Sequence, residues 1–156
     1  MSFRVGIGVD AHALAEGVPL VLGGVRLDHP RGLAGHSDGD VLAHALTDAL
    51  LGAAGLGDIG SLFPSDDERY RGADSVELLR EAYGSVQAAG WTLVNADCVL
   101  VGEEPRIAAH REQMRARLSE ALAGGEVNVR ATTTDRLGFT GRGEGLAAHA
   151  VALLER

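Results

Sequence analysis

Lysine is absent from this chain; all 14 basic residues are Arg. That excludes Schiff-base chemistry and the lysine of a phosphate-binding P-loop. Any phosphate handled here must be met by metal, Arg, backbone N–H groups and hydroxyls. Cysteine is nearly absent too. Cys98 stands alone, so no intrachain disulfide can form, and its setting in NADCVLV reads as a strand with a buried, inert thiol. No stretch approaches the roughly 20 apolar residues of a membrane span. MSFRVGIGVD lacks the basic-then-apolar pattern of a signal peptide. The net charge is −8 with no basic cluster, which argues against a nucleic-acid-binding face. The expectation is a cytoplasmic, bacterial protein that meets neither nucleic acid nor membrane.

What is present is a chain of 156 residues, 46% of them hydrophobic. That length fits one domain, residues 1–156, able to bury roughly 70% of the surface its unfolded form exposes. Val5, Ile7 and Val9 alternate with Gly6 and Gly8, the pattern of a strand with one buried face; its other face is bare until Asp10. Residues 19–29, PLVLGGVRLDH, predict two strands joined by a Gly23-Gly24 turn. Residues 32–39 read as a loop. A helix follows, capped by Ser37 or Asp38, with S37-x-x-D40 resembling a capping box. Val41, Leu42, Ala45, Leu46, Ala49 and Leu50 give it helical apolar spacing, and Asp40, His44 and Asp48 form a polar stripe alongside.

Residues 61–72 hold Pro64 and clustered charges and predict a mobile loop. Asp74 or Ser75 caps a second helix that stops at Gly90. Residues 91–101 and 127–132 read as strands. Pro105 suits the first turn of a third helix carrying Ile107, His110, Met114, Leu118 and Leu122 on one face. Residues 137–145 form a Gly-rich loop, and 146–154 fit helix and strand equally well. Interleaved strands and helices predict an α/β sandwich.

Chemistry-bearing residues collect at a few places. Asp10 and His12 form D-x-H, which an extended backbone turns to one face, and His44 lies on the helix that carries Asp40 and Asp48. One carboxylate and two imidazoles make a three-ligand set for a divalent metal such as zinc. The fourth position stays open for water or substrate, as in catalytic sites. Spacing alone does not join positions 12 and 44, and each histidine by itself reads as an ordinary satisfied side chain. His36 and Ser37 open the helix, where backbone N–H groups and the helix dipole attract phosphate; Ser37 is equally an N-cap. Thr132, Thr133 and Thr134 precede Asp135 at a strand end. They express β-propensity, or they grip phosphates and magnesium through oxygen ligands. Asp58 is a ribose partner or a turn residue. GRGEG, residues 141–145, lacks the strand–loop–helix context of known phosphate fingerprints.

Four strings carry a resemblance: VDAHAL, GHSDGDVLAHALTDALLGAAGLGDIGSLFP, GADSVELLREA and VNVRATTTDRLGFTGRGEG. With them the chain resembles the 2-C-methyl-D-erythritol 2,4-cyclodiphosphate synthases of the non-mevalonate isoprenoid pathway over essentially its whole length. The resemblance implies a metal-assisted lyase. The 2-phosphate of 4-diphosphocytidyl-2-C-methyl-D-erythritol 2-phosphate attacks its own β-phosphate, and CMP leaves. It implies an α/β (α+β) sandwich of one mixed sheet with helices on one face, the sheets facing the axis of a homotrimer, with active sites between subunits.

Residue by residue, Asp10, His12 and His44 match the zinc ligands, one zinc per subunit, with Ala11 beside them in the substrate-contacting segment. His36 and Ser37 match residues that hold substrate phosphate, and His36 and Thr133 match the catalytic pair. Asp58, Ile59 and Gly60 match the ribose-contacting turn. Phe63, Pro64, Ser65, Asp66 and Asp67 match the mobile loop over the methylerythritol end. Gly102, Glu103, Glu104, Pro105, Arg106, Ile107 and Ala108 match the cytosine pocket. Thr132, Thr133, Thr134 and Asp135 match the diphosphate segment, where magnesium or manganese binds. Phe139 and Arg142 match residues that hold an isoprenoid diphosphate in the axial cavity of some members.

Three departures stand out. Asp135 replaces the usual Glu and Arg106 the common Lys, while Val9 and His149 stand where isoprenoid-binding members carry an aromatic residue and a Glu. The residues leave two other readings open, a zinc-dependent phosphohydrolase and a non-catalytic zinc-binding trimer.

Overall fold

In the computed structural model, which describes residues 1–156, the first strand β1 (Phe3–Glu16) turns its glycines inward and its branched side chains outward. A Cβ on Gly8 would lie 1.8 Å from the Ala45 carbonyl oxygen, and one on Gly6 2.0 Å from that of Ala49. Only glycine lets the backbone of helix α1 (Val41–Ala54) approach the strand this closely. Val5, Ile7 and Val9 are therefore left on the far face, 69%, 67% and 55% exposed. This corrects the hydropathy reading of the alternation: the bare face is the buried one, because close helix–strand approach outweighs the burial of three branched side chains.

Strands β2 (Leu20–Leu22) and β3 (Val25–Leu27) form the expected hairpin. Gly23 and Gly24 have φ of 58° and 74°, the left-handed pair that a two-residue type I′ turn requires. The stretch expected to be loop from residue 32 begins instead as β4 (Arg31–Leu33), antiparallel to the far end of β1. Three residues are too few to show a period.

Helix α1 is capped by Asp40, not by Ser37 or Asp38. The Asp40 carboxylate accepts from Ala43 N at 3.1 Å and also from the Gly23 and Gly24 N–H groups at 2.9 and 2.8 Å. One buried side chain thus satisfies a helix N-terminus and a hairpin turn together. Burial pushes this carboxyl up to about 6 against the pull of its N–H donors.

After α1 come α2 (Ile59–Leu62), α3 (Ser75–Ala88), β5 (Thr92–Val101), α4 (Arg111–Ala121), β6 (Val127–Thr132), α5 (Gly138–Gly141) and β7 (Gly145–Glu155). Asp74 caps α3 as expected, accepting from Val76 N at 2.9 Å. Pro105 is not in a helix. The chain at Gly102 lies against Leu146, where a Cβ would come within 2.3 Å of its side chain, and α4 starts only at Arg111. Residues 137–145 are not all loop, since they contain α5.

The undecided segment 146–154 is strand, because it pairs on both sides: with β1 along its whole length and with β5. Its inward residues are mostly Ala, a helix former by propensity, and the pairing on both sides overrides that preference. The sheet order is β4-β1-β7-β5-β6, with only β5–β6 parallel. All three long helices pack on the glycine side of this mixed sheet or on one another, and one cluster of 38 buried apolar residues closes the core without a disulfide.

Candidate active site

The two-residue period of β1 sends Asp10 and His12 to the same face as Gly6 and Gly8, the face covered by α1. His44 lies one turn after the Asp40 cap and meets them. His44 Nδ1 and Asp10 Oδ2 are 2.9 Å apart, His12 Nε2 and Asp10 Oδ2 3.1 Å, and the two imidazole nitrogens 3.4 Å. A tetrahedral zinc site with bonds of about 2.0 Å has ligand atoms about 3.3 Å apart. The triangle already has that size, and its donor set, a carboxylate and two imidazoles, fits the metal.

The electrostatics favour a cation. Burial raises the Asp10 carboxyl, but hydrogen bonds and charge from His12 and His44 outweigh it and bring the value down to about 2. Burial lowers His44, and the Asp10 carboxylate more than restores it, so its value is raised. A metal would take the place of that proton.

Asp10, His12 and His44 form one wall of a cleft of about 550 Å³. His36, Ser37, Ile59, Gly60, Phe63, Pro64, Ser65 and Asp66 also line it, with Tyr70 and Leu78, which the sequence had not singled out. His36 donates from Nε2 to the Asp67 carbonyl oxygen at 3.0 Å, and Gly72 N donates back to His36 at 2.7 Å. The Phe63 ring meets Tyr70 edge-on at 5.2 Å. The segment 63–72 is thereby fastened to the rim of the cleft. Asp58 and Asp67 lie outside the lining: Asp58 forms a capping box with Ser61 on α2, and Asp67 pairs with Arg69 at 2.7 Å. Asp48 Oδ1 accepts from Ile59 N at 2.7 Å and ties α1 to that turn. Ala11 points to the opposite, exposed face.

The other anticipated residues gather elsewhere. Gly102, Glu103, Pro105, Arg106, Ile107, Ala108, Thr132 and Thr133 line a second cleft of about 240 Å³, with Arg111. Glu104, Arg106, Thr133 and Arg142 line a third of about 380 Å³ beside Arg31 and Arg136. Glu103 sits between the two and accepts from Thr134 N at 3.3 Å and Arg136 N at 3.2 Å. It thus grips a loop in which Asp135 and Arg136 hold positive φ of 52° and 67°. The Thr133 hydroxyl lies 3.3 Å from Asp135 Oδ1, while the Thr134 hydroxyl is turned back onto Leu137 O at 2.6 Å. Arg142 pairs with Glu144, and Phe139 is exposed. None of the residues of the metal cleft recurs in either of these two.

Behind His44 lie side chains that no sequence pattern tied to it. His44 Nε2 is 2.7 Å from Ser75 Oγ and 3.0 Å from Ser37 Oγ, and Ser75 is itself bonded to Asp38.

Comparison with known proteins agrees with this arrangement along the whole chain. The sequence profile of the YgbB family matches residues 3–155. A 2-C-methyl-D-erythritol 2,4-cyclodiphosphate synthase of Rubrobacter xylanophilus is 63% identical over 99% of this chain and 96% of its own length. Among solved structures, the bifunctional IspDF of Campylobacter jejuni superposes with a TM-score of 0.94 at 44% identity, over 98% of this chain and 42% of that one. A 2C-methyl-D-erythritol-2,4-cyclodiphosphate synthase in its CDP-bound form gives 0.88 at 42% identity, over 97% of this chain and all of that one, 100%.

Proposed function

The chain belongs to the YgbB family, and we propose that its metal cleft and its nucleotide cleft meet between the subunits of a homotrimer to close one substrate into a ring. It converts 4-diphosphocytidyl-2-C-methyl-D-erythritol 2-phosphate to 2-C-methyl-D-erythritol 2,4-cyclodiphosphate with release of CMP. The observation that carries this reading is the Asp10–His12–His44 triangle set in the wall of the cleft. The whole chain, 1–156, acts as one cyclodiphosphate-synthase-like domain in the bacterial cytoplasm.

Nucleophile and electrophile belong to one molecule, so the protein supplies no nucleophile. An oxygen of the 2-phosphate attacks the β-phosphorus, the bond from that phosphorus to the oxygen bridging it to the α-phosphate breaks, and CMP leaves with the electron pair. Holding the two phosphates together accounts for roughly 7–11 kcal/mol of the barrier. Zinc held by Asp10, His12 and His44 supplies Lewis-acid polarisation and a template for phosphate. Ser37 donates to substrate phosphate with His36 beside it; the Nε2–H of His36, given to the Asp67 carbonyl, keeps the 63–67 loop over the methylerythritol end. Asp58, Ile59 and Gly60 receive the ribose. Residues 102–108 hold the cytosine. Thr133 donates at the transferring phosphoryl group, with Thr132 beside it. Asp135, one methylene shorter than Glu, holds the magnesium or manganese that travels with the diphosphate.

The separation of the two sets of residues within one chain supports an active site built from two subunits. An isoprenoid diphosphate in the axial cavity, on Phe139 and Arg142, is a further proposed ligand. Val9 and His149 face each other across β1 and β7 on the same exposed face of the sheet. A titration with geranyl diphosphate that leaves the Tm unmoved would remove it.

Phosphorus NMR of zinc- and magnesium-loaded protein with the cytidyl substrate tests the central reading. Two coupled diphosphate resonances of a ring, with stoichiometric CMP, are expected. CMP with only linear product means hydrolysis; zinc bound without turnover means a binding module.

A further inference from the structure

His44 reaches the metal triangle through Nδ1, so its other ring nitrogen must carry the proton. A neutral imidazole has one donor and one acceptor nitrogen, and its hydrogen-bond partners decide which is which. The partner here is Ser75 Oγ, 2.7 Å from His44 Nε2 and fully buried at the start of α3. A serine hydroxyl has one hydrogen, and Ser75 donates it to Asp38. The same carboxylate also accepts from Ser75 N at 3.0 Å and Asp40 N at 3.1 Å, so the Asp38 side chain is fixed from three directions. With its hydrogen committed, Ser75 Oγ can only accept from His44. Its second lone pair faces the Ser37 hydroxyl at 3.3 Å. Ser75 Oγ thus holds a proton on Nε2, and Nδ1, which faces Asp10 at 2.9 Å and His12 at 3.4 Å, is the nitrogen left for a metal to take.

We propose that Asp38 and Ser75 are positioning residues that present His44 to the metal in its Nε2–H form, an inference that rests on the reading of His44 as a ligand. Neither residue belongs to the metal triangle or to the lining of the substrate cleft. They come from the loop before α1 and from the first turn of α3, so the pair also sets the distance between those elements at the point where His44 stands.

The test is zinc affinity without substrate, by competition with a chromophoric chelator, on the full chain. Ser75→Ala and Asp38→Asn should each bind zinc about 10–100-fold more weakly than wild type, the usual effect of removing the partner of a ligating histidine. Ser75→Thr, which keeps the hydroxyl, should recover most of that loss. Urea midpoints of the metal-free proteins supply the control. A purely structural role would lower the midpoint and leave the affinity of the folded protein unchanged. Wild-type affinity in folded Ser75→Ala and Asp38→Asn, with His44→Ala weakened, overturns the proposal and leaves the ligand assignment standing. Undiminished affinity in His44→Ala overturns both. If Ser75→Ala does not fold, Asp38→Asn decides, because Asp38 is only partly buried.

Discussion

His44 and Thr133 are expected to fail differently when truncated, because in the proposed site one ligates the metal and the other donates to the phosphoryl group. His44→Ala removes one of three ligands and should abolish zinc binding, with turnover down about 10³-fold or more. The chain should stay folded, as its apolar core needs no metal. Zinc analysis, circular dichroism and a CMP-release assay check this; wild-type turnover would refute the ligand assignment. Thr133→Ala should lower kcat by about 10²–10³-fold, the usual effect of losing one donor to a transition state, and change KM far less. A rise in KM alone would mean that Thr133 only binds. Asp10 and His12 were legible locally, because D-x-H declares a shared face through the strand period, whereas only the fold brings His44 to them. Ser75 was legible only as a cap, because its contact with His44 spans 31 positions and two elements that no local pattern relates.

Elements were legible where period and turn chemistry agreed, as in the Gly23-Gly24 hairpin and the body of α1, and obscure where packing overrode hydropathy. Strand β1 is the clearest case: its apolar residues face out because α1 needs Gly6 and Gly8. Gly8→Ala should therefore displace α1, and His44 with it. A loss of about 3 kcal/mol in the urea-derived stability is expected, at the upper end of overpacking costs, together with weaker zinc binding. Unchanged stability would mean that the strand and helix are not in this close contact.

Asp40, at the head of α1, predicts a pH effect. Its folded value of about 6 lies above the ordinary 3.8, so the folded state holds this proton more tightly than the unfolded one. The associated stability is fully present below about pH 4 and is lost as pH rises through about 6, an amount of about 3 kcal/mol. Asp40→Asn cannot titrate. Across pH 4 to 7 the stability of wild type minus that of the variant should fall as pH rises; a flat difference would show that the carboxylate is ionised throughout.

At the scale of the molecule, the outward face of the sheet poses the remaining question. Phe3, Val5, Ile7 and Val9 on β1, with Val151 on β7, leave apolar side chains in water, and Ile7 pairs directly with Val151. An apolar patch of this kind on a monomer marks an interaction surface, and three copies around an axis would cover it. Ile7→Glu should then break the proposed trimer into single chains in the ultracentrifuge. Zinc binding should survive, since all three ligands come from one chain, while turnover is lost. A variant that stays trimeric and active would place the interface elsewhere.

A stricter test asks whether the two clefts belong to different subunits in the working site. His44→Ala spoils the metal side of every site and Thr133→Ala the phosphoryl side. If each site takes one side from each of two neighbours, trimers assembled from an equal mixture of the two variants contain intact pairs in about one quarter of their sites. Co-refolding two nearly inactive proteins should therefore restore roughly that fraction of wild-type turnover. If both sides of a site came from one chain, no mixture would contain an intact site, and activity would stay at the level of the separate variants.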